Sequence, residues 1–180
     1  MTHSLSVCPA IVGSMFGYCT EMAKWKGHVF GGVDGQNLPE DYLLPTLRPK
    51  GAQDYSSAKL QARCGQLGMD CSDLVFGQAC LSPKTIIVED EPRSGKIGLI
   101  GFEVAGYFPR TWIRTKCRVS AAMRLPPEAA DDKSWFARKV SEGLGKKGFD
   151  DVAEAFWKFL RSLKRSESKS VHHLPEHPPT

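Results

Sequence analysis

The fold is decided by residues 84–124, which read KTIIVEDEPRSGKIGLIGFEVAGYFPRTWIRTKCRVSAAMR. Residues 85–88 are short and β-branched, residues 92–95 supply turn chemistry, and residues 96–104 form a second apolar run. Residues 111–123 alternate between apolar and basic side chains, which is the two-residue period of a half-buried strand. The stretch therefore predicts an antiparallel meander with one buried face and one solvated face.

Two helices are predicted after this stretch. Pro126 and Pro127 are typical of a first helical turn, and glycines within residues 143–148 end the helix. A second helix begins near Asp151, which has Glu154 three residues later in capping-box spacing. We therefore predict an α+β fold, in which an antiparallel meander of three or more strands packs against two C-terminal helices. A loop-rich N-terminal half with one or two short helices precedes it.

The chain divides by composition into four segments. They are an N-terminal helical segment (1–26), an irregular Gly/Pro-rich arm (27–55), an α+β core domain (56–165) and a disordered tail (166–180). Residues 72–80 fit either a helix or a buried strand, because a short apolar run has no decisive periodicity. Whether residues 1–55 share the core stays open at this level.

Positive charge is concentrated in the C-terminal part of the chain. Residues 1–55 carry four Lys or Arg against five Asp or Glu, and residues 56–109 carry five against six. Residues 110–180 carry fifteen against nine. This uneven distribution of charge favours an anionic partner, either RNA or an anionic lipid surface. The alternative is that the charges lie on a solvated surface and are unevenly distributed by chance.

The strongest candidate site is a basic stripe on the third predicted strand. Side chains two residues apart on a strand project from one face about 7 Å apart, near the phosphate spacing of a nucleic acid. Trp112 shares this parity, so a base or a lipid interface could meet its ring. The alternative is that these cations only deter edge-to-edge strand pairing. The full predicted surface, extended over the C-terminal helices, comprises Arg110, Trp112, Arg114, Lys116, Arg118, Arg138, Lys139, Lys146, Lys147, Lys158, Arg161, Lys164 and Arg165.

Catalytic and metal-binding patterns are weak. Cys64, Cys71 and Cys80 are separated by six and eight residues, whereas paired zinc ligands usually sit about two to four residues apart. His28 is the one histidine outside the chain ends, so a small thiol enzyme that pairs it with Cys19 or Cys64 is a third hypothesis. We expect no enzyme activity, no cofactor and no metal site.

The N-terminal sequence does not fit a secretory signal. Pro9, Gly13 and Gly17 interrupt a weak apolar run, and no basic region precedes it. Asn37, the single asparagine, is followed by Leu-Pro and is not a glycosylation acceptor. No run of about 18 apolar residues occurs. We expect a cytoplasmic protein that is not secreted, with nuclear or membrane-peripheral placement as alternatives.

These observations predict a non-enzymatic basic protein that binds nucleic acid or an anionic membrane surface and self-associates as a homo-oligomer. The layout of irregular arm, sheet and basic helices in a small chain resembles matrix and accessory proteins of RNA viruses. That resemblance implies a structural or accessory role in a virion or in the host cytoplasm, and it transfers no residues. The alternative function is a protein-interaction adaptor whose partner docks on the arm at residues 31–51.

Overall fold

The computed structural model describes residues 9–44, 54–89, 96–127 and 132–171, with backbone alone for residues 166–171. The described residues contain five α-helices: α1 (Pro9–Met22), α2 (Ser57–Gln66), α3 (Arg110–Val119), α4 (Trp135–Lys146) and α5 (Ala153–Val171). They contain six strands: β1 (Lys26–Gly27), β2 (Gly31–Gly32), β3 (Leu74–Gln78), β4 (Ile86–Val88), β5 (Ile97–Leu99) and β6 (Ala105–Pro109). The predicted α+β class with antiparallel pairing is confirmed.

The main sheet has four strands in the order β1-β3-β6-β2, and β4 and β5 form a separate hairpin. Its centre is the antiparallel pair β3 and β6, which begins with Leu74 opposite Pro109. The region at 72–80 that fitted a helix or a strand is therefore a strand. At the edge, β2 lies so close to β6 that a Cβ on Gly106 would collide with the carbonyl of Gly31, so this pairing requires glycine.

The predicted third strand over residues 111–123 is wrong, because residues 110–119 form the helix α3. Pro109 directly precedes the helix, where its fixed φ suits a helix start. The buried positions Trp112, Thr115, Lys116 and Val119 have the helical spacing i, i+3, i+4, i+7. Lys116 concealed this spacing in the sequence, since a lysine is ordinarily a solvated residue.

The core consists of two clusters, and α3 lies between them. The first joins α1, α4 and the β4–β5 hairpin through Met15, Cys19, Val75, Ile97, Cys117, Phe136, Val140 and Leu144. The second joins the arm, α2 and α5 through Phe30, Leu38, Leu43, Leu60, Cys64, Phe108, Trp112 and Phe156. Each fully buried Leu or Phe stabilises the fold by about 1.5–3 kcal/mol. The described part of residues 1–55 thus contributes to both clusters of the core.

The prediction of two C-terminal helices is confirmed, but the start predicted at Pro126 and Pro127 is wrong, because the first of these helices begins at Trp135. The second, α5, continues to Val171, which is past residue 166, where the sequence indicated that disorder begins. A helix that has already formed extends at little further cost, so a polar sequence does not by itself end it. Residues 172–180 lie outside the described residues. Among the described helices, none combines the length and the apolar character needed to cross a membrane.

Candidate anion-binding groove

A groove with a cavity volume of about 560 Å³ runs between α3 and α4. Four arginines from three segments line it: Arg114, Arg118, Arg124 and Arg138. Guanidinium groups present planar forks of N–H donors that match carboxylate and phosphate oxygens, and they stay charged at any physiological pH. Several arginines around one concave surface therefore make an anion-binding site the natural interpretation. We call this feature the arginine groove.

Helical spacing explains why these side chains share one groove. Arg114 and Arg118 lie four residues apart on α3, which places them one turn apart on one face. On the opposite wall, Ser134 at the start of α4 and Arg138 and Ser141 within it have a spacing of four and then three residues. Arg124 follows α3 in the connection to α4. The groove thus depends on the packing of two consecutive helices against each other.

Arg114 is held rigidly at the end of the groove. Its Nε donates to the hydroxyl of Ser141 at 3.2 Å, and its Nη1 donates to the carbonyl of Phe149 at 3.0 Å. A Cβ on Gly145 would lie 2.9 Å from the guanidinium carbon, so the absent side chain leaves room for Arg114 to cross α4. An ordered guanidinium loses less conformational entropy when it binds an anion.

Asp151 links the two arginines of α3. Its carboxylate lies 2.7 Å from Arg118 and 3.4 Å from Arg114. It also accepts the backbone N–H of Ala153 at the start of α5, as an N-terminal capping carboxylate does. One carboxylate faces two guanidinium groups here, so one positive charge is left uncompensated at this end.

The other arginines of the groove are more exposed. Arg138 donates to Asp132 at 2.6 Å, and this hydrogen bond lowers the pKa of the Asp132 carboxyl. Among the described residues, Arg124 is exposed and has no carboxylate partner. Counting the neighbouring pair of Lys139 with Glu142, the groove and its rim carry five cations against the three carboxylates Asp132, Glu142 and Asp151.

Trp157 closes one side of the groove. It is 42% exposed and packs edge-on against Phe156, with ring centroids 5.5 Å apart and an interplanar angle of 81°. The Phe156 ring is fully buried, so it supports the indole from beneath while much of Trp157 stays in contact with solvent. An exposed indole beside guanidinium groups combines a stacking surface with phosphate binding.

The structure divides the predicted basic stripe into three groups. Arg114 and Arg118 line the arginine groove. Arg110 lies instead over the ring of Phe149, with its guanidinium carbon 4.0 Å from the ring centroid. Trp112 and Lys116 point in a third direction, into the core. This corrects the single stripe, because side chains two apart lie on different faces of a helix.

Trp112 and Lys116 are bound to a buried glutamate. The indole Nε1 donates to Glu40 Oε2 at 3.2 Å, and the ammonium group of Lys116 donates to Glu40 Oε1. Glu40 is 1% exposed and Trp112 is 1% exposed. The ammonium nitrogen also lies 4.4 Å from the centroid of the Tyr42 ring. These two predicted site residues therefore tether the arm to α3, and neither is accessible to a ligand.

Of the remaining predicted cations, Arg138 lines the groove and the others do not. Lys139 pairs with Glu142 on α4, and Lys146 and Lys147 are exposed at the end of that helix. The cations on the exposed part of α5 are Lys158, Arg161, Lys164 and Arg165. Sequence reasoning missed Arg124 and Trp157. Trp157 lies outside the apolar stripe of α5, and a large aromatic residue off that stripe is the sequence feature that could have indicated an exposed ring. Nothing in the sequence distinguishes Arg124 from the other arginines.

The described cysteines do not have the properties of a nucleophile. Burial raises the pKa of Cys19, Cys64, Cys71 and Cys80, and it raises the pKa of Cys117 to about 12. A catalytic thiol needs the opposite shift. His28 is exposed at a bend beside β1, whereas Cys19 and Cys64 are buried. Within the described residues, no group of three His, Cys, Asp or Glu side chains is arranged to hold a metal ion.

The arginine groove is thus a cationic concave site with an aromatic side chain at its edge. Comparison of the whole chain with protein-family models, with curated proteins and with solved structures finds no match.

Proposed function

We propose that this protein is a non-enzymatic binding protein for single-stranded nucleic acid, RNA in the first place, and that the arginine groove is its binding site. The observation that carries the proposal is the convergence of Arg114, Arg118, Arg124 and Arg138 around one cavity. Phosphates along a strand would pair with the guanidinium groups, since each such contact releases condensed counterions.

The exposed indole supports a single strand as the ligand over a duplex. Bases of a single strand are free to stack on an aromatic ring, which contributes about 1–3 kcal/mol per base, while paired bases are stacked on each other. Trp157 lies at the edge of the groove, beside the arginines that would hold the phosphates. We place this activity in the cytoplasm, as part of a structural or accessory role in a self-associating protein.

An anionic membrane surface is the second candidate, and the observation in its favour is helix α5. Lys158, Arg161, Lys164 and Arg165 are all exposed on this helix, and Trp157 is exposed beside them. Basic residues beside an interfacial aromatic ring are typical of helices that lie on anionic lipids. A flat bilayer contacts protruding side chains, however, and the concave arginine groove suits a strand better.

The adaptor alternative stays a prediction: residues 33–37 of the arm are exposed, whereas other side chains of its described part are buried. Leu38 and Leu43 are buried in the second core cluster, and the Tyr42 hydroxyl accepts the backbone N–H of Ala121 at 2.9 Å. These side chains are engaged within the chain, so they do not present a docking surface. Residues 45–51 of the arm lie outside the described residues.

The test is fluorescence anisotropy with a labelled single-stranded RNA at about 50 and 200 mM salt. We compare the wild type with Arg124→Glu/Arg138→Glu, which changes two exposed groove residues. Removing two phosphate contacts should weaken binding at least tenfold at low salt and reduce the salt slope by about 1.4. Lys59→Glu/Lys84→Glu is the matched control, because both lysines are exposed outside the groove and the change in net charge is the same.

If RNA binding weakens equally in the groove variant and in the control variant, the groove is not the binding site. Such a result would indicate that RNA responds to the net charge of the whole protein. Vesicles containing phosphatidylserine are measured beside the RNA under the same conditions. Vesicle binding that survives the groove substitutions, together with no RNA binding by the wild type, would replace the RNA proposal by the membrane candidate.

A further inference from the structure

The edges of the two sheets differ in how they are protected. In the four-stranded sheet, β1 carries Lys26, and β2 is followed by a turn in which the N–H of Gly32 donates to the carbonyl of Gln36 at 2.9 Å. In the hairpin, α1 covers the outer edge of β5, where the hydroxyl of Tyr18 donates to the carbonyl of Ile97 at 2.8 Å. Lysines and covering elements are the usual protection of a sheet edge. In the part of the chain that the structure describes, the outer edge of β4 has neither.

The backbone of β4 presents hydrogen-bonding groups at this outer edge. The N–H of Ile100 donates to the carbonyl of Thr85 at 3.0 Å, so these residues form a hydrogen-bonded pair at the end of the β4–β5 ladder. Because such pairs alternate along an antiparallel ladder, Ile87 bonds to β5, and the N–H and C=O groups of Ile86 and Val88 point outward. No described residue is found to hydrogen-bond to those outward groups.

The side chains of β4 are apolar and are only partly covered. Ile87 is 54% exposed and Val88 is 39% exposed, although β-branched side chains in a sheet are ordinarily packed against those of a neighbouring strand. Ile86 packs against the first core cluster, which holds the hairpin on the body of the protein. Exposed apolar side chains beside open backbone groups indicate pairing with a further strand.

The charges at the two ends of β4 favour an identical strand in antiparallel orientation. Lys84 precedes the strand, Glu89 follows it, and both are exposed. Antiparallel pairing of two copies brings the basic end of one strand to the acidic end of the other, whereas parallel pairing would place like charges side by side. One strand therefore supplies both halves of a two-fold interface.

We propose that β4 is a dimerisation strand, which pairs antiparallel with β4 of a second copy and joins the two hairpins into one intermolecular sheet. The proposal rests on the self-association proposed above and names its interface. The two-fold axis passes between Ile87 and its counterpart in a non-hydrogen-bonded pair, and Ile86 exchanges backbone hydrogen bonds with Val88 of the second copy. Three residues from each copy form a small interface, so the dimer is weak and depends on protein concentration.

The first test is sedimentation equilibrium of the full chain without RNA, from about 5 to about 500 µM protein. The wild type should change from monomer to dimer over this range. Ile87→Lys places two ammonium groups beside the two-fold axis and should weaken the dimer about tenfold or more, while the exposed position leaves the hairpin folded. Val29→Lys is the matched control, because Val29 is 57% exposed and lies between β1 and β2, and it should leave the dimer unchanged.

The second test places a cysteine at the two-fold axis. The Cα atoms of a non-hydrogen-bonded antiparallel pair are about 4.5 Å apart, which permits a disulfide. Ile87→Cys should therefore give a disulfide-linked dimer on a non-reducing gel after mild oxidation. Val88→Cys should not, because its Cα would lie about 7–8 Å from that of its counterpart. The wild type, which has the native cysteines, gives the background.

The possible failures are distinguishable. A wild type that stays monomeric over the whole range would overturn the self-association together with this interface. A dimer that forms equally well in Ile87→Lys would overturn the β4 interface and leave self-association through another surface. Crosslinking of Val88→Cys without crosslinking of Ile87→Cys would overturn the register. Neither test contains RNA, so a negative result in either one does not bear on RNA binding by the arginine groove.

Discussion

Lys116 and Arg118 lie two residues apart on α3, yet they occupy opposite kinds of environment. Lys116 is buried and is paired with Glu40, which lies 76 residues earlier in the chain. Arg118 keeps 43% of its side chain exposed while it contacts Asp151, and it lines the arginine groove. The two cations look alike in the sequence, and only their partners distinguish a structural role from a binding role.

The difference between these regions is one of solvation. The Glu40 carboxylate is almost fully removed from water, so its charge requires the ammonium group of Lys116 and the indole N–H of Trp112. The groove arginines keep part of their side chains exposed, so a phosphate can reach them without breaking the core. The buried pair should therefore control folding, and the groove should control ligand binding.

The largest effect should follow from breaking the buried pair. In Glu40→Ala the ammonium group of Lys116 stays buried without a counter-charge, which is expected to cost about 3–5 kcal/mol of unfolding free energy. Urea denaturation followed by Trp fluorescence measures this change. Asp132→Ala is the control in the exposed region and should change stability far less. RNA affinity of the folded fraction should stay at the wild-type value; a parallel loss of affinity would contradict the separation of the two regions.

Two tryptophans extend the same comparison with a smaller effect. Trp157→Ala removes an exposed ring from the groove edge and should weaken RNA binding by about 1–3 kcal/mol, with little change in stability because much of the ring is exposed. Trp157→Phe keeps a ring and should retain most of the affinity. Trp112→Phe, in the core, should reduce stability, because Glu40 loses the indole donor, and should leave RNA affinity unchanged. Fluorescence anisotropy measures the RNA affinity of the three variants, and urea denaturation measures their stability.

The smallest effect concerns the exposed pair of Arg138 and Asp132. The hydrogen bond from Arg138 lowers the pKa of Asp132, so this pair stabilises the folded state above the carboxyl's ordinary pKa. That stabilisation is lost as the pH falls through the lowered folded-state pKa. NMR titration of Asp132 should show its pKa rise toward 3.8 in Arg138→Gln. An unchanged pKa in that variant would mean that Arg138 is not held at the rim.

Several elements were predictable because their signals are local. The predicted N-terminal helical segment contains α1, and the β4–β5 hairpin forms from the β-branched run at 85–88 and its partner. The helix predicted to begin near Asp151 is α5, and the backbone N–H of its first residue, Ala153, donates to the Asp151 carboxylate. Helix α3 was mistaken for a strand, because Lys116 interrupts its apolar face and its partner Glu40 is distant in the chain. Three of these five site residues were likewise predictable: Arg114, Arg118 and Arg138 were predicted, while Arg124 and Trp157 were not.

The amino-acid sequence by itself determined the α+β class, the antiparallel pairing, the C-terminal helices and the concentration of positive charge after residue 110. These properties depend on periodicity, composition and turn residues within short stretches, which act locally. The tertiary structure alone decided which cations are buried and which ones line the arginine groove. The reason is physical: the free-energy cost of burying a charge depends on partners that packing brings together across as many as 76 residues.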